Sequence, residues 1–336
     1  MLKNINDDFS VTVVITTFNR PVEAIRALES VLNQSYRNIE IIVIEDGSNS
    51  SLKDWIFENR PFDIPVKYVN NYINKGLAAT RNHGYRIASN PYVAFLDDDD
   101  FWKPEKIELQ IELLKGLDES TLIKMGVVYC GVEIRDMNNN IRHIIQPQNL
   151  GNLKNAIISQ GANTPSSSLL FPKSVLEEIG GFDEILKSSI DHDIWMNLAA
   201  NGYSVCAVND PLVISYERDN RKTMMNDTFK RVQGVKEYVE KWTPTYQEWF
   251  GKIEGKLYGQ RYFTNVISRM AAQKLLNGQF KEFLKSIKSI NLYSEDKKYN
   301  RKTILVDIVK ITLKRIMPRK ILDRIKNLKT FKSMTR

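Results

Sequence analysis

Tyr92-Val93-Ala94-Phe95-Leu96-Asp97-Asp98-Asp99-Asp100 is the stretch on which the fold turns. Five apolar residues run without a linker into four carboxylates. A continuous apolar run, as opposed to an alternating one, is what a strand covered on both faces requires, and such strands belong to parallel sheets flanked by helices. Ligands of open sheets collect at the carboxyl ends of the strands, where these aspartates stand. Four adjacent like charges repel one another, and a bound cation relieves that repulsion. Carboxylate oxygens are hard ligands that select Mg²⁺ or Mn²⁺, ions that reach substrates through phosphate oxygens. Alternate residues of an extended segment point the same way, so Asp97 and Asp99 are the pair expected to share one ion. The plainer alternative is a solvated acidic turn capping a helix that starts at Pro104.

The flanking sequence repeats the pattern. Residues 11–15 form a β-branched run, followed by a polar loop at 16–20 and by Pro21 at the first turn of a helix through Leu32. Residues 39–44 read as a second buried strand, stopped by Glu45-Asp46-Gly47-Ser48, and residues 66–69 as a shorter third. Helical spacing covers 76–88. Downstream come a helix from Pro104, strands over 127–134 and 167–171, and a helix after Pro172. A helical segment then runs from Asp191 to Ala200, stopped by Asn201-Gly202, and a strand covers 203–208. Beyond about Asn226 strand signals give way to helical periodicity, with Pro244 and Pro318 as expected breaks. The expectation is an α/β fold with a mostly parallel, helix-covered sheet in residues 1–220 and a basic helical region in 221–336.

Composition fits this. The 336 residues are 42% hydrophobic and 26% charged, which excludes disordered and low-complexity classes. Residues 92–96 are the longest apolar run, too short to span a bilayer. The first ten residues carry Asp7 and Asp8 and no apolar stretch, so no secretory signal is expected there. Cys130 and Cys206 each sit in an apolar segment without metal-ligand spacing, which points to buried thiols in a reducing compartment. The net charge of +8 is local. Residues 297–336 hold 14 Lys and Arg against Asp307 and Asp323, a net of +12 that leaves the rest of the chain at −4. This argues against a nucleic-acid-binding body and for a basic terminus facing anionic phosphates.

Taken together, Val13-Val14-Ile15-Thr16-Thr17-Phe18-Asn19-Arg20, Ser30-Val31-Leu32-Asn33-Gln34-Ser35-Tyr36, Ile42-Val43-Ile44-Glu45-Asp46-Gly47-Ser48, Asn74 to Asn82 and Phe95-Leu96-Asp97-Asp98-Asp99-Asp100 follow one another in an order and spacing that resembles the family 2 glycosyltransferases of GT-A fold. The resemblance covers residues 10–217. It implies that Thr16, Phe18 and Asn19 border a nucleotide base, that Asp46 holds that base, and that Arg81 and Asp98 serve the nucleotide-sugar diphosphate. Asp97 and Asp99 would be the D-x-D pair that binds Mn²⁺ or Mg²⁺. Gly180-Gly181-Phe182-Asp183 and Ile190-Asp191-His192-Asp193 resemble the family's Gly-Gly-Phe turn and base motif, with Ile190 where a Glu is usual. The resemblance thus implies an inverting enzyme using a nucleotide-sugar donor, UDP-linked by preference, and a saccharide or lipid-linked saccharide acceptor of cell-surface polysaccharide synthesis.

Each assignment has a plainer alternative. Asp-Gly-Ser is commonly a turn, Arg81 a surface charge and Asp191 a helix cap. Trp102 and Trp195 are candidates to stack on acceptor sugars, or else core aromatics. A base is required on chemical grounds alone, since a sugar hydroxyl is a poor nucleophile until its proton is taken. Residues 304–316 place apolar residues at near-helical spacing among Lys310, Lys314 and Arg315. They suit an anionic membrane surface, a second subunit or the body of the protein. The expected location is the cytoplasm, peripheral on the inner face of the cell membrane, with homo-oligomerisation open. The rivals are a nucleotidyltransferase, which would carry glycine after the first strand where residues 16–20 have none, and an inactive saccharide-binding GT-A domain.

Overall fold

The computed structural model describes residues 8–48, 50–160, 165–216 and 227–316. One compact unit contains β1 (Val11–Thr17), α1 (Pro21–Leu32), β2 (Ile39–Glu45), α2 (Leu52–Glu58), β3 (Val66–Asn70), α3 (Leu77–Ile87) and β4 (Tyr92–Asp97). It continues with β5 (Asp100–Trp102), α4 (Lys106–Lys115), α5 (Glu119–Ile123), β6 (Met125–Arg135), β7 (Ile141–Ile145), β8 (Gly151–Asn152) and α6 (Leu153–Gln160). A 3-10 turn (Ser166–Ser168), β9 (Leu170–Pro172), α7 (Lys173–Ile179), α8 (Ile190–Ala200) and β10 (Ser204–Tyr216) complete it. The second unit comprises α9 (Thr228–Phe250), α10 (Lys252–Leu276), α11 (Phe280–Tyr293) and α12 (Lys297–Ile316), with residues 186–189. The expected boundary near residue 220, the break at Pro318 and the chain beyond Ile316 lie outside the described residues.

The sheet runs β3-β2-β1-β4-β9-β6-β10-β5, with β7 on β6 and β8 on β10. β3, β2, β1 and β4 are parallel neighbours, and β10 runs parallel to β6, while β9 is antiparallel to both β4 and β6. Strand alternation sorts the apolar side chains by face. Val13, Ile15, Ile41, Val43, Ala94 and Leu96 join one core with Ala24, Leu28 and Val31 of α1 and Ile107, Ile111 and Leu114 of α4. Val14 and Ile44 point the other way, toward α3, where a Cβ on Gly84 would stand 2.3 Å from Val14 Cγ1. Burying each such side chain contributes about 1.5–3 kcal/mol, enough for these runs to dictate the sheet.

Four expectations need correction. Ser167 lies in the 3-10 turn instead of a strand, because Ser168 Oγ bonds Pro165 O at 2.8 Å and the serines satisfy the backbone locally. α9 continues through Pro244, held by buried Trp242 and Tyr246 on either side. β10 passes the 203–208 limit to Tyr216, absorbing Pro211 at a register shift against β6. Cys130 is buried as expected, but Cys206 is only half-buried.

Candidate functional site

Parallel register brings three strand ends into one row: Thr16 of β1 stands beside Asp97 of β4 and Ile44 of β2, and Thr17 beside Glu45. At its centre lies Arg81, carried there by α3 and fully buried. Its Nη2 donates to both oxygens of Asp97 at 2.7 and 3.0 Å, and its Nη1 donates to Asp191 Oδ1 at 3.0 Å. The surface alternative for Arg81 is therefore wrong. Its guanidinium packs over the Phe182 ring, 5.2 Å from the centroid. Burial alone would weaken its charge, but Asp97 and Asp191 outweigh that and hold its pKa above the ordinary arginine value. The Gly180-Gly181-Phe182 turn is fixed on α3 by Asn82, whose Oδ1 accepts from Phe182 N at 2.9 Å and whose Nδ2 donates to Phe182 O at 2.8 Å.

Asp191 stands in the first turn of α8 with its side chain 42% exposed. Arg81 Nη1 and Ser166 Oγ both donate to its Oδ1, and among the described residues Oδ2 accepts no hydrogen bond. Burial pushes the carboxyl up, yet the Arg81 charge and the Ser166 and Arg81 hydrogen bonds bring it below the usual aspartate range. It is therefore ionised at neutral pH, with one oxygen free to receive a proton. The neighbouring Asp193 is 1% exposed and turned away from solvent.

Along the acidic run exposure alternates. The side chains of Asp97 and Asp99 are 28% and 22% exposed, whereas Asp98 and Asp100 are buried. Asp98 was expected on the nucleotide. It instead accepts from Arg20 Nη1 at 3.0 Å and Thr17 Oγ1 at 2.9 Å, tying the β1 loop to the end of β4. Burial raises its pKa despite Arg20. Asp100 accepts from Ser167 Oγ at 2.6 Å, and burial followed by repulsion from Asp97 pushes it up to about 7. Among the described residues no group of three or more His, Cys, Asp or Glu forms a metal cage. The donor set still fits a hard divalent ion shared with a ligand. Two half-exposed carboxylates supply oxygens and leave the remaining positions to phosphate and water.

Asp46 is 5% exposed, and its carboxylate accepts three hydrogen bonds. Its Oδ1 accepts from Asn71 Nδ2 at 2.9 Å and Lys75 N at 3.0 Å, and its Oδ2 from Gly76 N at 2.9 Å. The carboxylate expected to hold a base also latches the loop that starts α3. Gly47 allows that latch: its φ is +75°, and a Cβ there would lie 2.2 Å from Asn74 N. Thr16 is buried, while Phe18, 45% exposed, and Asn19, in the left-handed region at φ +54°, project at the mouth of the site. Trp102 and Trp195 are 4% and 1% exposed, so neither offers a face to a sugar. Trp102 Nε1 donates to Ser167 O at 2.8 Å, and Trp195 packs edge-on against Tyr129. Both are core residues.

Sequence reading missed Arg20, Ser166 and Ser167. Ser167 Oγ also accepts from Asp97 N at 3.2 Å, so the serine turn braces both Asp97 and Asp100. The run Pro165-Ser166-Ser167-Ser168 was a visible turn signal, but nothing in it named its partners.

The fold and site define an α/β enzyme scaffold with carboxylates and a buried arginine at the strand ends. The family model for glycosyl transferase family 2 matches residues 12–180, and the chain belongs to that family. An uncharacterized glycosyltransferase of Rickettsia typhi is 31% identical over 194 residues, 55% of this chain. The aligned stretch spans only 57% of that relative's length. The Escherichia coli UDP-Glc:alpha-D-GlcNAc-diphosphoundecaprenol beta-1,3-glucosyltransferase WfgD is 26% identical over 230 residues, covering 68% of this chain and 84% of WfgD. Among solved structures, S. aureus TarS 1-349 in complex with UDP-GlcNAc aligns with a TM-score of 0.58 at 15% identity, over 89% of each chain. The mannosyltransferase PcManGT of Pyrobaculum calidifontis, in complex with GDP-Man and Mn2+, aligns at 0.54 and 16% identity, over 92% of this chain and 87% of PcManGT. These two share the fold.

Proposed function

We propose that the protein is an inverting glycosyltransferase that moves one sugar from a nucleotide-diphosphate donor, UDP-linked by preference, to a saccharide acceptor carried on a lipid. The observation that carries this reading is the Asp97–Arg81–Asp191 array, in which one buried guanidinium joins a strand-end carboxylate to an ionised carboxylate with a free oxygen. The printed name of WfgD, a UDP-glucose enzyme with a diphosphoundecaprenol-linked acceptor, supports the donor and acceptor classes.

In the proposed mechanism Asp191 Oδ2 takes the proton of the attacking hydroxyl as that oxygen bonds to the anomeric carbon. The bond from this carbon to the diphosphate oxygen breaks, and its electron pair leaves with the nucleotide diphosphate. One displacement inverts the anomeric configuration. Arg81 keeps Asp191 anionic, and with Ser166 it fixes Oδ1 so that Oδ2 faces the acceptor. Phe18 offers an exposed ring to the base. Asp97 and Asp99 would hold Mn²⁺ or Mg²⁺, which when bound offsets charge on the departing diphosphate. The reading assigns the reaction to the cytoplasm, at the inner face of a membrane bearing lipid-linked acceptors. No described helix is long and apolar enough to cross a membrane.

The test separates binding from chemistry. Asp191→Asn should keep thermal stabilisation by donor nucleotide while lowering transfer by on the order of 10²-fold or more. Near-normal turnover in that variant would remove Asp191 from the role of base.

A further inference from the structure

α12 packs on α10. Its buried side holds polar groups: Asn300 accepts from Thr264 Oγ1 at 2.9 Å, and Asp307 accepts from Ser268 Oγ, both donors on α10. On the same flank the half-buried Ile304 and Ile308, with the exposed Leu305 beside them, join Ile287 of α11 in a groove of about 480 Å³ whose remaining lining is Asn291, Lys297 and Arg301. Leu305 is 62% exposed, and Leu284 and Leu292 of α11 are 62% and 77% exposed. Three exposed leucines beside a groove floored by isoleucines form an apolar patch of the kind that marks an interaction surface.

The charges say what kind of cover. Lys281, Lys288, Lys298, Arg301 and Lys302 are exposed on these two helices, and no acidic residue lines the groove. The Lys297 ammonium donates to the carbonyls Asn291 O and Ser294 O at one end of the groove. Residues 317–336 carry seven Lys and Arg against Asp323, and a second copy would bring the same basic helices, so both repel this groove. An apolar floor with a cationic rim complements a lipid that has acyl chains and an anionic headgroup.

We propose that the α11–α12 groove docks on a bilayer of anionic phospholipid, with Leu305 and Ile304 entering the acyl boundary and Arg301 and Lys302 meeting headgroup phosphates. This stands apart from the catalytic assignment, because it is read by vesicle binding without turnover. The intact protein should sediment with vesicles of phosphatidylglycerol in phosphatidylcholine, far less with phosphatidylcholine alone, and less again as salt rises. Leu305→Ser and, separately, the pair Arg301→Glu and Lys302→Glu should each lower the bound fraction at least ~10-fold. All three positions are exposed, and unchanged thermal melting checks that the fold survives. Binding that persists in both variants would assign the attachment to residues 317–336 and overturn the groove. Absence of vesicle binding would overturn it too, and so would a concentration-dependent dimer abolished by Leu305→Ser.

Discussion

Arg81 shows how one side chain sets the protonation of a site. A fully buried guanidinium is costly to desolvate and persists because two carboxylates surround it. The benefit flows back to Asp191, whose pKa ends below the usual aspartate value although burial works in the other direction. Since catalysis needs the ionised form, the acid limb of the rate profile should lie below the ordinary aspartate range. Ser166→Ala removes a hydrogen bond to the charged form, which raises the pKa and moves that limb upward by roughly one pH unit. A transfer-rate profile from acid to neutral pH measures this, and an unmoved limb would mean that another group controls the rate.

Among the elements, α4 carries a buried cation that pairs with no acidic side chain among the described residues. Lys106 is fully buried, its Nζ 2.8 Å from Gln110 Oε1 and 3.8 Å above the Trp102 ring centroid, and burial draws its pKa down from 10.5 to about 8. Because the folded value is the lower one, the cost of charging Lys106 is full below about pH 8 and fades as pH climbs toward the unfolded value. Lys106→Met keeps the bulk and removes the charge. Its unfolding free energy relative to the parent should be most favourable near pH 6 and lose on the order of a few kcal/mol of that advantage by about pH 10. Urea denaturation at the two pH values reads the difference, and a pH-independent difference would show that burial does not lower the Lys106 pKa. The serine turn and the Asp46 latch show the opposite economy, in which polar residues are buried because every group finds a partner.

For the whole molecule, the parallel half of the sheet collects the acidic strand ends on one edge, so the net repulsion there should govern nucleotide binding. UDP should stabilise the protein against heat in Mn²⁺ but little in chelator, by about 2.7 kcal/mol at a hundred times the dissociation constant. Asp99→Ala should remove the metal-dependent part while leaving the fold intact, since that side chain is half-exposed. Equal nucleotide affinity with and without chelator would rule out Asp97 and Asp99 as metal ligands.

The mostly apolar runs at residues 11–15, 39–44 and 92–96, alternating with helical spacing, pointed to the parallel sheet from sequence alone, because burial on both faces favours such runs in strands joined by helices. The acidic strand end at Asp97 was legible for the same reason, whereas Arg81 beside it was expected only from the family resemblance. Partners were not legible. Whether Asp46 faces a ligand or caps a helix depends on Asn71, Lys75 and Gly76 arriving from a later loop. Ser166 meets Asp191 across 25 residues, and Arg81 meets it across 110. Trp102 and Trp195 carry the residue type of a sugar platform, and only packing against Ser167 and Tyr129 decides that they are core. Local pattern fixes which face of an element is buried, whereas a hydrogen bond between distant residues exists only once the tertiary fold has closed the loop between them.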